Sequence, residues 1–216
     1  MPLEKVNKEQ FKTILGNISA AVAREKEHLT QLDSHIGDGD HGFGMANGLR
    51  IGFEKVRQTS GGSIEENLKT IGFSLIKEVG GASGTIFGSL FLGMAKAAKG
   101  REEITLADFC AMLSEGLALV QQRGKAQPGD KTMIDAVHPA LASLKQSLAE
   151  GIPLVEAFQR AAQAAQAGAE QTKTMIGKHG RAKYFREKSI GYQDAGATTM
   201  AVMISTIASS LASMDA

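Results

Sequence analysis

The sequence has few of the features that define several large classes of protein. Cys110 is the only cysteine among 216 residues, which excludes an internal disulfide and a zinc site built from several thiolates. It lies in an apolar, periodic run, so we expect it to be buried. The 24 basic and 23 acidic residues nearly cancel, and no basic stripe is interleaved with aromatic residues. Nucleic acid is therefore not an expected partner.

Long apolar runs are also scarce. Residues 1–11 carry charges where a secretory signal needs an apolar core. Two uncharged stretches exist, but residues 79–95 are broken by glycines and residues 195–214 are rich in Ser and Thr. A membrane span needs about 20 predominantly apolar residues. We therefore expect a cytoplasmic protein that does not cross a membrane.

The common signatures of nucleotide-binding and hydrolytic folds are absent from the sequence. There is no GxxxxGK[ST] motif, and no GxGxxG accompanied by HRD and DFG. No Ser–His–Asp or Cys–His arrangement stands out. Any nucleotide chemistry must therefore be built on a less common fold.

Apolar residues recur at helical spacing through most of the chain, and alternating strand patterns are hard to find. This pattern predicts an all-α fold of about eight antiparallel helices, packed as a bundle or barrel in one domain over residues 1–216. Asn7, followed by Gln10, is a predicted N-cap, as are Ser63 and Thr105. The predicted helices cover residues 7–32, 42–58, 63–79, 84–98, 105–123, 132–148, 153–173 and 197–212, with an irregular segment over residues 176–195.

The strongest chemical signal is the run LDSHIGDGDHG at residues 32–42. It places Asp33, Asp38 and Asp40 in one glycine-rich loop, where their mutual repulsion favours a bound cation. Carboxylate oxygens suit Mg²⁺ or Ca²⁺ better than zinc or copper, and neither possible start of an EF-hand gives the required ligand spacing. Mg²⁺ also prefers phosphate oxygens, so the loop predicts phosphoryl chemistry on a nucleotide.

His41 follows the three aspartates directly. Their negative charge should favour its imidazolium form, which indicates a phosphate or nucleotide contact rather than metal ligation. The alternatives are that His41 is a general base or that it only caps the next helix.

Glycines gather in joints that precede or open helices, where backbone N–H groups and the helix dipole favour anions. Several such ends at one rim of a bundle would form an anion pocket, although any single joint could be an ordinary turn. Within residues 124–135, Lys125, Asp130, Lys131 and Asp135 could instead form a surface salt-bridge cluster, and Met133 could belong to the core. The joints are residues 37–42, 79–85, 123–132, 177–182 and 189–199, whereas Gly88 and Gly93 are predicted to pack helices together.

Together these motifs resemble the ADP-binding L subunit of dihydroxyacetone kinases, which is homologous to the C-terminal nucleotide domain of the single-chain, ATP-using enzymes. The matches occur in the order of that family and span essentially the whole chain. They are LDxxIGDGDHG (32–42), VGGASG (79–84), RGKAxPGDKTMxD (123–135), GRAxY (180–184) and EKSIGYQDAGATT (187–199).

The resemblance implies an eight-helix barrel with the nucleotide at one rim and two Mg²⁺ ions held by Asp33, Asp38 and Asp40. It identifies no catalytic base in this chain. Gly44 stands where the family often has Asn, and Ala195 where Pro is common. The implied contacts of ADP or ATP are His41, Gly42, Phe43, Gly44, Ala82, Ser83, Gly124, Met133, Arg181, Asp194, Ala195 and Gly196.

The resemblance also implies a phosphotransferase subunit. A phosphohistidine carrier, the M subunit, would rephosphorylate the bound ADP, and the γ-phosphoryl group would pass to dihydroxyacetone held by a K subunit through a hemiaminal to histidine. A homodimer or a hetero-oligomer with K is expected. Three alternatives stay open: an ATP-dependent kinase subunit for another short ketose such as erythrulose, a nucleotide-sensing partner of a transcription regulator, and a Ca²⁺-binding structural bundle.

Overall fold

The computed structural model describes residues 2–59 and 61–216, and within these residues the fold is almost entirely helical. It contains nine α-helices, three short 3-10 helices and one two-stranded sheet. The prediction of an all-α fold is confirmed. The helices are α1 (Lys8–Arg24), α2 (Lys26–Ile36), α3 (His41–Gln58), α4 (Ile64–Glu78), α5 (Gly81–Ala97), α6 (Leu106–Gly124), α7 (Ile134–Ala149), α8 (Leu154–Gln171) and α9 (Ala195–Asp215). The 3-10 helices are Thr172–Thr174, Ala182–Tyr184 and Arg186–Ser189.

Eight of the helices form a closed ring. From α3 to α9 each helix packs on the next, α9 packs on α1, and α1 packs on α3. Apolar side chains fill the interior and leave a cavity of about 50 Å³. The predicted helical barrel is therefore confirmed, and α2 is an additional helix that packs on α3 and α9.

The additional helix arises because the predicted first helix, residues 7–32, is wrong as a single element. The chain bends at Glu25, where α1 ends and α2 begins. The Glu25 N–H still donates to the Ala21 carbonyl, and the Glu25 carbonyl still accepts from the Leu29 N–H. The helical hydrogen bonds therefore continue through the bend, and local sequence does not reveal it. Tertiary packing sets the direction of α2 after the bend, because the helix packs through its two buried residues, Leu29 and Ile36.

The predicted helix caps are confirmed. Asn7, Ser63 and Thr105 each accept a backbone N–H of the following turn, and each takes part in a capping box. Asn7 and Thr105 also end the two strands of a small antiparallel sheet, β1 (Lys5–Asn7) and β2 (Glu103–Thr105). Three residues a strand are too few for alternation to stand out in the sequence, so this sheet was not predicted.

Close helix packing explains the glycines inside α5. A Cβ on Gly93 would lie 2.5 Å from the Glu115 carbonyl oxygen of α6, and one on Gly88 would lie 2.7 Å from the Gly72 carbonyl oxygen of α4. Both distances are too short for any side chain, so the prediction for these two glycines is confirmed. Cys110 is buried, as predicted.

Helix α9 is more apolar than its Ser and Thr content suggests. Among the residues described, it alone is long and apolar enough to span a membrane by length and composition, with a mean hydropathy of 1.4. In the barrel, 61% of that window is buried, which is typical of a core helix. Hydroxyls of Thr206, Ser209, Ser210 and Ser213 donate to carbonyls four residues earlier, so the helix satisfies its own polar groups.

Candidate functional site

A cavity of about 770 Å³ opens at one rim of the barrel. Its wall combines the loop after α2, the first turns of α5, α7 and α9, the end of α6 and the segment of residues 172–194, called here the 172–194 segment. Twelve of the 15 predicted site residues line it: Asp33, Asp38, Asp40, His41, Ala82, Ser83, Gly124, Met133, Arg181, Asp194, Ala195 and Gly196.

The other three predicted residues, Gly42, Phe43 and Gly44, lie outside this lining, in the first turn of α3. A Cβ on Gly42 would lie 2.0 Å from the Lys26 carbonyl oxygen, so this glycine allows α3 to approach α2. Phe43 is 53% exposed, with the Lys26 ammonium 5.3 Å from its ring centroid. The Gly44 N–H is bonded to the Asp40 carbonyl.

The acidic loop is folded around Asp33. One carboxylate oxygen of Asp33 accepts the N–H groups of Gly39, Asp40 and His41 at 2.9, 3.1 and 3.4 Å. Gly39 has a φ of 74°, which glycine adopts without strain. The fold brings one oxygen from each of Asp33, Asp38 and Asp40 within 4.8 Å of the others, an arrangement that suits a hard divalent cation.

The electrostatics of this loop also favour a cation. The pKa of Asp40 is raised, first by burial and then by the negative charges of Asp38 and Asp33. The guanidinium of Arg181, which is largely exposed, bonds Asp38 at 2.5 Å. Arg181 thereby supplies positive charge to the loop and ties the 172–194 segment to it.

The protonation state of His41 differs from the predicted one. Its side chain is only 4% exposed, and burial lowers its pKa to about 4, although Asp40 acts in the opposite direction. The predicted imidazolium form is therefore wrong, because the loss of water around the ring outweighs the neighbouring negative charge. His41 faces the cavity as a neutral ring.

The hydrogen bonds of His41 define its tautomer. The Thr199 hydroxyl donates to the Ala195 carbonyl at 2.9 Å, so its oxygen accepts from the His41 Nε2–H at 2.8 Å. Nδ1 is then an acceptor and lies 3.3 Å from the Ser83 hydroxyl. Thr199 was not predicted as a site residue, although it belongs to the GATT run that carries the resemblance.

The loop after α6 is organised by buried charges. Lys131 is 1% exposed, and Asp135 accepts the N–H groups of Gly129 and Thr132. The alternative of a surface salt-bridge cluster is therefore wrong for this loop. Met133 is buried and lines the cavity, whereas Met45 and Met200 lie in the barrel core.

Asp194 is the N-cap of α9 and lines the cavity. Its carboxylate accepts the Ala197 N–H at 2.7 Å, and its own N–H donates to the Thr172 hydroxyl at 2.9 Å. Burial raises its pKa to about 7, and the negative charge of Asp135 acts in the same direction. The residue thus joins the 172–194 segment to α9.

These parts define what the cavity can bind. Ala82 and Ser83 in α5, and Gly196 in α9, lie in first turns, where backbone N–H groups and the helix dipole attract anions. Next to them stand three carboxylates for a divalent cation and one guanidinium. Apolar side chains complete the wall: Ile86, Phe87, Val120, Met133 and Ile134. The site therefore suits a polyphosphate with its cation and a flat apolar group.

Comparisons with known proteins agree with this geometry. Residues 35–209 match the profile described as the DAK2 domain. The ADP-binding subunit DhaL of the PEP-dependent dihydroxyacetone kinase of Escherichia coli is 39% identical over 208 residues, which cover 96% of this chain and 98% of that subunit. The L-erythrulose kinase of Pectobacterium atrosepticum is 36% identical over 194 residues, covering 85% of this chain and 31% of that protein.

Among solved structures, the dihydroxyacetone kinase of C. freundii in complex with AMP-PNP and Mg²⁺ aligns with a TM-score of 0.74 and 29% identity, covering 97% of this chain and 35% of that one. The resemblance found in the sequence is confirmed. This chain belongs to the DAK2 domain family, as a kinase subunit similar to the ADP-binding subunits of dihydroxyacetone kinases.

Proposed function

We propose that this chain is the nucleotide-holding phosphotransferase subunit of a cytoplasmic dihydroxyacetone kinase. The observation that carries the proposal is the meeting of three carboxylates, Arg181 and the first turns of α5 and α9 in one cavity. The relatives support it, since one is named an ADP-binding subunit and another was solved with AMP-PNP and Mg²⁺.

In this proposal Asp33, Asp38 and Asp40 hold two Mg²⁺ ions, which neutralise charge on the phosphates when bound. First-turn N–H groups of α5 and α9 bind phosphate oxygens, and Arg181 adds a mobile positive charge. The base lies against Met133 and its apolar neighbours. His41 is neutral and bonded to Thr199, so its role is to position Ser83 rather than to carry charge.

The chemistry requires two partners. A phosphohistidine carrier, the M subunit, transfers its phosphoryl group to the β-phosphate of ADP, breaking a P–N bond and forming a P–O bond. The γ-phosphoryl group then passes to a hydroxyl of dihydroxyacetone on a K subunit, which regenerates ADP. The exposed Tyr184 lines the cavity, and Phe43 is exposed in the first turn of α3, so both suit contact with a docking subunit.

A second candidate keeps the fold and changes the donor and the sugar. In it, the subunit exchanges free ATP and serves another short ketose, such as erythrulose. The similarity to L-erythrulose kinase favours this candidate, and the two proposals share the same cavity residues. They differ in whether the nucleotide stays bound between turnovers.

Retention of nucleotide separates the candidates. The purified protein is dialysed extensively, and its native and denatured mass spectra are compared for bound nucleotide and Mg²⁺. We expect one ADP and two Mg²⁺ to be retained. An empty protein that binds ATP weakly would support the exchanging kinase, and a protein that binds no nucleotide would overturn both candidates.

A coupled assay then tests the partners. Dihydroxyacetone phosphorylation is measured with the K subunit, the M subunit and a catalytic amount of ADP, and then with free ATP in place of the M subunit. Activity only with the M subunit supports the first proposal. Activity with free ATP in place of the M subunit, and with erythrulose rather than dihydroxyacetone as the acceptor, supports the second.

A further inference from the structure

Lys131 is the most deeply buried charged side chain that the proposed chemistry does not use. It is 1% exposed and follows Asp130 in the loop between α6 and α7. Its φ of 61° lies in the left-handed region, which residues other than glycine rarely adopt. A buried ammonium in such a conformation requires surrounding contacts that hold it in place.

Those contacts are three backbone carbonyls. The Lys131 Nζ donates to Thr172 at 2.6 Å, to Met175 at 3.3 Å and to Tyr192. An ammonium has three N–H donors, so all of them are used within the protein. Lys131 lines the cavity, but it has no donor left for a phosphate.

The three carbonyls belong to the two ends of the 172–194 segment. Thr172 and Met175 lie where the segment begins, and Tyr192 lies where it returns to α9. Two further bonds join the same ends, from the Gly191 N–H to the Lys173 carbonyl and from the Asp194 N–H to the Thr172 hydroxyl. The ammonium is thus at the base of a long loop.

The tip of this loop is held differently. Arg181 bonds Asp38 through a largely exposed guanidinium and a partly exposed carboxylate, and Lys178 and His179 bond Asp130 on the flank. The Arg181 pair uses a carboxylate that the proposed function assigns to Mg²⁺, so cation binding competes with it. The base bonds of Lys131 involve no atom of that kind.

We propose that Lys131 is a positioning residue of the nucleotide site: it fixes both ends of the 172–194 segment, so that the segment keeps its place over the cavity while Arg181 is free to change partner. The inference rests on the proposed function, because the segment positions Arg181 and Asp194 for the nucleotide. It also makes a claim about the nucleotide-free protein, which can be tested separately.

The first test uses Lys131→Met, which keeps an unbranched side chain one atom shorter and removes its donors. Tryptic cleavage within residues 178–188 of the nucleotide-free protein should be about tenfold faster, because three carbonyls at the base of the segment, one of them buried, lose their partner. Release of a fluorescent ADP analogue should also be about tenfold faster. Mn²⁺ affinity measured without nucleotide should stay within about twofold, since the acidic loop is separate.

Lys99→Met is the matched control. It makes the same exchange at an exposed lysine just after α5, so neither the cleavage rate nor analogue release should change. If Lys131→Met speeds analogue release without changing tryptic cleavage, Lys131 contacts the nucleotide directly and the proposal is overturned. If the wild type binds no analogue, the proposed function fails, while the cleavage comparison still tests the positioning role.

A measurement on the wild type covers the case in which Lys131→Met does not fold. In hydrogen exchange of the nucleotide-free protein, the amides of Gly191 and Asp194 at the base should exchange about tenfold more slowly than those of Lys183 and Tyr184 near the tip. Equal exchange at base and tip would show that the base is not fixed, and would overturn the proposal.

Discussion

Different interactions stabilise the two parts of this protein: the helices of the barrel, called here the barrel wall, and the loops around the cavity, called here the rim. The wall consists of helices with apolar periodicity and capping boxes, so its stability is spread over many contacts. The rim consists of loops in which single polar side chains hold the backbone, as Asp33, Lys131 and Asp135 do. A change in the wall should therefore cost stability and spare the site, whereas a change at the rim should alter the chemistry of the site, in some cases with a smaller cost in stability.

The largest effect is expected at the acidic loop. Asp38→Asn should reduce phosphoryl transfer, in the assay with the partner subunits, by about 10³-fold or more, because the proposed function makes this carboxylate a ligand of Mg²⁺. Far-UV circular dichroism and the melting temperature should barely change, since both members of the Asp38–Arg181 pair are in contact with solvent and the pair contributes little stability.

Glu27→Gln on the exposed face of α2 serves as the control for Asp38→Asn, and it should leave transfer unchanged. Loss of helical signal in Asp38→Asn at ordinary temperature would show that the aspartate is structural. The contrast between rim and wall would then fail at its strongest point.

A truncation in the wall should show the opposite pattern. Leu68 is fully buried in α4, and Leu68→Ala should lower the free energy of unfolding by about 3 kcal/mol through lost burial and a residual cavity. Nucleotide affinity of the folded protein, measured by calorimetry well below the melting temperature, should stay within about twofold.

Leu148→Ala is the matched control in the wall, because Leu148 is 41% exposed. The substitution should lower the free energy of unfolding, measured in urea, by less than about 0.5 kcal/mol. A strong loss of nucleotide affinity in Leu68→Ala would mean that wall and rim are coupled more tightly than their contacts suggest.

The pH dependence of the free energy of unfolding should report the ionisation of Asp194. In the folded protein without metal or nucleotide its pKa is raised to about 7, whereas the unfolded chain releases this proton near pH 4. The folded state thus binds more protons between these values, and stability should fall as pH rises through this window, by up to about 1.4 kcal/mol per pH unit.

Asp194→Asn keeps an oxygen that can accept the Ala197 N–H but removes the ionisation. Urea unfolding at pH 5, 6, 7 and 8 should therefore show a flatter profile in this variant than in the wild type. Parallel profiles would contradict the raised pKa and would assign the slope to other groups, such as Asp40.

The smallest predicted effect concerns the tautomer of His41. Thr199→Val removes the acceptor of the His41 Nε2–H and should cost about 1–2 kcal/mol of stability. Nitrogen-15 NMR of the ring should report a mixture of tautomers in the variant and a single Nε2–H form in the wild type. Thr206→Val, on the same helix, removes a hydroxyl that bonds only its own helix and should leave the ring spectrum unchanged.

Most of the wall and part of the rim could be predicted from local patterns. Asn7, Ser63 and Thr105 act through residues two or three positions away, which is why their caps were predicted correctly. The bend at Glu25 and the small sheet were missed, because they depend on packing with distant elements. At the rim, the cluster of aspartates was visible, but Thr199 was not, since its partner His41 is 158 residues away in sequence.

The sequence by itself determined the helical class, most helix boundaries, the acidic loop and the family, because these depend on short spacings and residue types. Only the tertiary structure decided the charge of His41, the burial of Lys131 and the place of the 172–194 segment in the lining of the cavity. These properties depend on how much water each group loses and on which distant carbonyls it meets. Burial and long-range partners exist only once the barrel has closed.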